Sequence, residues 1–236
     1  MEAFIQMVYY LALANPFFCL ILMLSKISSL FSTKEGFSEI IQFSPPRTGS
    51  TLVWNAIRLF GIKAEKTHKF DLLQKSNTNR IVSTIRNPYD MVCSSIHRYR
   101  KPVSEDIVRE TIQMFETYNF NTLLELKDHQ DALILKYENF YDNFDYLLEE
   151  LERFFGVQIE PKSKKDFTSN FSRKEVSKAI SDLPKFGVYN PDTLFHGDHI
   201  GPDQGTPNSY KKYLNEKMMG DIHIAFSDII SSFNYN

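Results

Sequence analysis

The stretch Pro46-Arg47-Thr48-Gly49-Ser50-Thr51 puts a guanidinium, a glycine and the hydroxyls of Ser50 and Thr51 between an apolar run (Ile40, Ile41, Phe43) and the helical pattern that starts at Leu52. A turn leading from a strand into a helix points free backbone N–H groups outward. Gly49 lets a ligand come close to the backbone, and Arg47 adds charge, so the expected chemistry is an anion cradle built from Arg47, Thr48, Gly49, Ser50 and Thr51. The spacing G-x-x-x-x-G-K-[ST] is absent, so an ordinary nucleoside-triphosphate loop is not supported.

A second such group lies in "TIRNPYDMVCSS", residues 84–95. Arg86 ends a strand signal, Asn87-Pro88 starts a helix, and Ser94 follows Arg86 by eight residues. A planar guanidinium and a helical hydroxyl can converge on the oxygens of a second phosphate.

Strands are expected at Glu39–Phe43, Ile62–His68, Arg80–Ile85 and Ala132–Tyr137 to position these groups. Helical periodicity fills Thr51–Phe60, Tyr89–Tyr99, Glu105–Leu126, Phe144–Phe155 and Asp221–Phe233, and Ser172 with Glu175 forms a capping box for a further helix. Strands alternating with helices imply an α/β fold: a single doubly wound parallel sheet flanked by helices, in three α/β/α layers. The Gly-, Pro-, Asn- and Asp-rich stretch from Pro184 to Pro207 reads as a lid or binding loop within that domain.

With 236 residues the chain can bury one substantial core. Its 27 basic and 29 acidic residues give a net charge of −2. That leaves no general field for nucleic acid, so any anion must be held by a local site. Cys19 and Cys93 read as buried thiols, not as a disulfide framework. His196, Asp198 and His199 invite a metal reading, but neither a third strong ligand nor a second cluster accompanies them, and no metal is expected.

Residues 1–35 form a separate apolar segment ahead of a domain spanning 36–236. No charge interrupts Ala3 to Leu24, and that length matches a bilayer's hydrocarbon layer. Glu2 and the absence of an early Lys or Arg argue against a cleaved signal. A helical hairpin starting anew at Asn15-Pro16 and a single kinked span both fit, giving membrane association through residues 3–31 and a cytoplasmic catalytic domain. A segment packed on the domain would instead make the protein soluble and cytoplasmic.

The sequence resembles the sulfotransferases that use 3′-phosphoadenosine 5′-phosphosulfate (PAPS). Pro46 to Thr51 matches the family's 5′-phosphosulfate loop, P-[KR]-x-G-[ST]-T, and Arg86, Pro88 and Ser94 match its 3′-phosphate motif. "KTH" at Lys66-Thr67-His68 is similar to the strand presenting the catalytic base, and "LILKYENF" to the strand end that brings Tyr137 near adenine. "HIGPDQGTPNSYKKYL", from His199 to Leu214, is similar to the late loop that closes over the nucleotide.

The resemblance implies sulfuryl transfer from PAPS to a hydroxyl or amine acceptor, with PAPS as co-substrate and no metal. His68 would be the general base, Lys66 and Arg47 would stabilise charge on the transferring and leaving groups, and Gly205, Lys211 and Lys212 would meet the nucleotide from the late loop. Several positions depart from the family. Arg47 replaces a common lysine, Leu52 stands where an aromatic usually stacks on adenine, and the basic R-K-G of cytosolic relatives is missing. Trp54, about 200° around the helix from Leu52, is expected in the core. Only 21 residues separate Arg47 from His68, so part of the acceptor-binding region of larger relatives is absent.

The acceptor expected from the apolar N-terminus is a glycan, a glycolipid or another lipid-linked hydroxyl, though a small molecule also fits. Two rivals remain. A P-loop-type nucleotide or small-molecule kinase would need a Walker lysine and a Mg²⁺-binding carboxylate. A non-catalytic, membrane-attached nucleotide-binding protein would have no use for His68.

Overall fold

A computed structural model describes residues 40–68, 80–118, 122–183 and 189–235. The expected segment 1–35, with its membrane-associated stretch 3–31, lies outside the described residues. Among those described, no helix is long and apolar enough to cross a membrane.

Four parallel strands, β1 (Ile40–Phe43), β2 (Ala64–Thr67), β3 (Arg80–Ile85) and β4 (Ala132–Lys136), lie in the order β2-β1-β3-β4. Ile40 pairs with Ala64 on one side and Arg80 on the other, and Ile81 with Ala132. The chain leaves β1 through helix α1 (Ser50–Ile57) to reach β2, then crosses back past β1 to β3. The order reverses between β1 and β3, which opens a crevice beyond their carboxyl ends. Arg47 and Arg86 follow those two ends.

Alternating side chains feed two cores. Ile41, Phe43, Ile81 and Ile85 face helices α2 (Pro88–Arg98), α3 (Glu105–Glu116), α4 (Thr122–Lys127), α9 (Glu216–Ala225) and α10 (Ser227–Ser232). Ile40, Val82 and Leu135 face α1, the short α5 (Tyr137–Phe140), α6 (Phe144–Phe155) and α7 (Pro161–Asn170). The result is the three-layer doubly wound sheet expected. Helix α8 (Arg173–Ile180) has the expected cap, with Ser172 Oγ accepting from the Glu175 N–H at 3.4 Å.

Several boundaries moved. The helix expected over Glu105–Leu126 stops at Glu116, where the Thr117 hydroxyl donates to the Met114 carbonyl at 2.6 Å and competes with the helical ladder. The C-terminal helix begins earlier, at Glu216 after an Asn215 cap, and breaks at buried Phe226. Helix α7 escaped notice because Phe167 is its sole buried residue and leaves no apolar period. Trp54 is not in the core: it is half-buried, donates Nε1–H to the Ala64 carbonyl at 3.3 Å and is covered by the Arg58 guanidinium at 4.7 Å.

Candidate active site at the switch point of the sheet

The turn after β1 is bent by two residues in the left-handed region, Arg47 at φ 68° and Gly49 at φ 83°. Thr48 lies fully buried between them, its hydroxyl bonded to the Pro45 carbonyl (2.8 Å) and to Thr84 Oγ1 (2.6 Å). Thr48 therefore fixes the turn to β3, which leaves its backbone N–H, not its side chain, for a ligand. A Cβ on Gly49 would sit 2.8 Å from Tyr137 and 2.9 Å from Phe140. The glycine answers both the backbone angle and the close aromatic packing.

Arg47, Gly49, Ser50, Thr51, Arg86, Ser94, Tyr137 and Gly205 all line one cavity at the β1–β3 crevice. The two guanidiniums lie on the same side of the sheet: Arg86 Nη1 donates to the Arg47 carbonyl at 3.4 Å, and Arg47 Nε donates to Ser94 Oγ at 3.0 Å. Arg86 is only 3% exposed, lies over the Tyr137 ring at 4.4 Å, and shares the Gly205 carbonyl with the Tyr137 hydroxyl (3.1 and 3.0 Å). Its Nε is buried without a hydrogen-bond partner among the described residues.

Positive charge accumulates here. Burial, then Arg86 and Arg98, pull Arg47 down to about 10. Burial, then Arg47, pulls Lys66 down to about 8. Among the described residues, Asp203 is the one carboxylate lining the cavity, and Lys212 holds it at 2.6 Å. Cations crowded so closely, with the cavity's one described carboxylate already paired to Lys212, favour an incoming anion.

Neither Lys66 nor His68 is among the residues that line the cavity. Lys66 turns toward the cradle and donates to Thr51 Oγ1 at 2.6 Å. His68 Nδ1 lies 2.5 Å from the Ser44 carbonyl, which can only accept, so Nδ1 carries the proton and Nε2 keeps its lone pair. Burial, and to a lesser degree Lys66, holds His68 below the ordinary imidazole value, with the Ser44 bond acting the other way. Lys211 and Lys212 are exposed and do not line the cavity.

Asp90, on α2, anchors the late loop. Its carboxylate accepts from the N–H groups of Asn208 (2.6 Å) and Tyr210 (3.0 Å) and from the Ser209 hydroxyl (3.3 Å). Sequence reasoning did not single it out, nor the cavity-lining Tyr141, Phe144, Phe171, Arg173 and Phe195. The Ser172–Glu175 box marked where Arg173 begins its helix, but nothing in the sequence aims that helix at the cradle. Among the described residues no group of three or more side chains has the makings of a metal site. Asp198 pairs with Arg100 at 2.6 Å.

No protein-family model and no curated protein matches the sequence. Solved structures do. A mouse sulfotransferase, SULT7A1, complexed with PAP superposes with a TM-score of 0.60 at 18% identity, over 85% of this chain and 86% of that one. A retinol dehydratase in complex with retinol and PAP gives 0.60 at 15% identity over 85% and 83%. Its complex with androsterone and PAP gives 0.57 at 15% over 81% and 80%. The chain thus has the fold of the PAPS-dependent sulfotransferases.

Proposed function

We propose that this protein transfers a sulfuryl group from PAPS to an acceptor hydroxyl. The observation that carries the proposal is the pair of guanidiniums, half-buried Arg47 and buried Arg86, in one cavity, with Arg86 Nε lacking a partner among the described residues. A nucleotide with phosphates at both its 3′ and 5′ positions has the charge and span to satisfy both. Arg86 and Ser94 hold the 3′-phosphate, while Arg47, Ser50, Thr51 and the N–H groups at the start of α1 hold the 5′ side. Leu52 offers adenine no ring, and Tyr141, Phe144 and Phe171 supply aromatic faces in its stead.

In the reaction, the acceptor oxygen forms a bond to sulfur as the bond between sulfur and the 5′-phosphate oxygen breaks. The phosphate oxygen keeps the electron pair, and the acceptor's proton goes to His68 Nε2. Lys66 and Arg47 stabilise the growing negative charge. Lowered to about 10, Arg47 still keeps its charge at neutral pH, and its role is electrostatic.

The acceptor is a small-molecule or lipid-linked hydroxyl. Support for this comes from the apolar run at residues 3–24 and from the retinol and androsterone in the neighbours' complexes. We keep residues 1–35 as a membrane-associated segment attached to the 36–236 domain, on the same apolar run. The deciding experiment is calorimetry of PAP against ADP with wild type and Arg86→Ala. PAP should bind at least tenfold tighter than ADP, and the variant should lose that preference. Equal affinities, or no change on mutation, remove the second phosphate site and the proposal with it.

A further inference from the structure

His199 lines the same cavity, and the groups behind its ring decide which of its nitrogens carries the proton. Arg98, in the last turn of α2, directs Nη1 at Nδ1 of His196. The Asp198 N–H reaches that same nitrogen at 3.2 Å. Both are donors, and a guanidinium does not surrender its proton, so His196 Nδ1 accepts and its proton sits on Nε2. That Nε2 lies 3.4 Å from Nδ1 of His199. His199 Nδ1 must then accept, and a neutral ring keeps its one proton on Nε2. No described residue is hydrogen-bonded to that Nε2.

Both rings are neutral at pH 7. Burial, then Arg98, brings His196 down to about 4, and burial, then Arg47, holds His199 well below the ordinary imidazole value. Arg47 Nη2 approaches the His199 carbonyl at 3.5 Å. Arg47 and Lys66 are among the cations whose fields act on the ring. His199 thus lines the cavity with its backbone against the Arg47 guanidinium of the cradle.

We infer that His199 is a neutral hydrogen-bond donor to the transferring sulfuryl group, its Nε2–H fixed by the relay from Arg98 through His196. The inference rests on the sulfuryl-transfer reading and adds to it a residue from the late loop. It also divides the labour between two histidines of opposite tautomer. His68 gives its Nδ1–H to Ser44 and keeps a lone pair for the acceptor's proton, whereas the His199 lone pair is already engaged and its N–H is free to donate.

The test uses the full chain. With ¹⁵N-labelled histidine, long-range ¹H–¹⁵N spectra should find the His199 proton on Nε2, and His196→Phe should abolish that preference. In calorimetry, His199→Phe should weaken PAPS about tenfold, the loss expected for one hydrogen bond to a charged group, and weaken PAP less than twofold. His199→Gln, which retains an N–H donor, should restore PAPS affinity. A proton on Nδ1, unchanged PAPS affinity in His199→Phe, or equal losses for PAP and PAPS overturn this inference alone. Wild-type protein that binds neither nucleotide overturns the sulfuryl-transfer reading and the inference with it. The tautomer is read on wild-type protein, so the inference stays open to refutation even if His199→Phe fails to fold.

Discussion

Arg47 Nε donates to the Ser94 hydroxyl at 3.0 Å, which joins the cradle after β1 to the helix after β3. In the proposed complex these two residues serve opposite ends of one nucleotide. Binding must therefore part them, with the guanidinium exchanging a neutral hydroxyl for phosphate oxygens. The phosphate adds a second charge and a bidentate fit that the hydroxyl cannot offer, so the exchange is favourable.

Ser94→Ala separates the two roles. The variant frees Arg47 but removes a ligand of the 3′-phosphate. PAP affinity should fall by about tenfold, the size of one hydrogen bond to a charged acceptor. ADP affinity should stay level or rise slightly. Calorimetry with both nucleotides measures this, and a loss for ADP as large as that for PAP would mean that Ser94 serves only to hold the loop.

Gly49→Ala tests the cradle's shape. The new Cβ would meet Tyr137 and Phe140 at 2.8 to 2.9 Å from a backbone at φ 83°. Strain at that angle and crowding against two rings should together cost about 2–4 kcal/mol. Thermal unfolding should show a midpoint several degrees lower, and nucleotide affinity should fall with it. A variant as stable as wild type would mean that the turn can relax without its glycine.

Lys66 gives the protein a pH signature with two opposite signs. Its pKa is lowered to about 8, against an ordinary value of ~10.4 in the unfolded chain. Between those limits the unfolded state holds a proton that the native state has lost, so stability without nucleotide rises with pH across the window, by at most about 3 kcal/mol. PAP affinity should move the other way, because the ammonium that attracts the anion is being lost. Lys66→Met should flatten both trends from pH 7.5 to 10, followed by thermal unfolding and calorimetry. Unaltered slopes in the variant would assign the dependence to other groups.

The strands and the first layer of the site were legible because each rests on local chemistry. β1 and β3 are short β-branched and aromatic runs. Arg47, Gly49 and Arg86 lie close behind the strand ends that orient them, and Ser94 sits on the helix that follows β3. What escaped lies far away in sequence and arrives through tertiary packing. Asp90 holds a loop 118 to 120 residues further on, and its own surroundings read as an ordinary first helical turn. Phe171 and Arg173 reach the cavity from the junction of α7 and α8, where α7 carries no apolar period. Trp54 was expected in the core from its angle alone, but β2 is an edge strand, and the ring settles half-exposed beside it under Arg58.

His68 is where the enzymatic reading is most exposed. Its Nδ1–H is committed to Ser44 at 2.5 Å, which leaves Nε2 as the basic atom, and burial keeps the ring neutral near pH 7. Removing a general base typically lowers turnover by 10²–10⁴-fold. His68→Ala should therefore lose at least ~100-fold in turnover of PAPS with 2-naphthol as the probe acceptor, by the same magnitude, and should bind PAP within about twofold of wild type, since no phosphate contact is removed. His68→Gln should be as slow as the alanine variant, because an amide can reproduce the Ser44 bond but cannot take up a proton. A glutamine variant with near-normal turnover would reduce His68 to a positioning role and leave the acceptor's proton to another group.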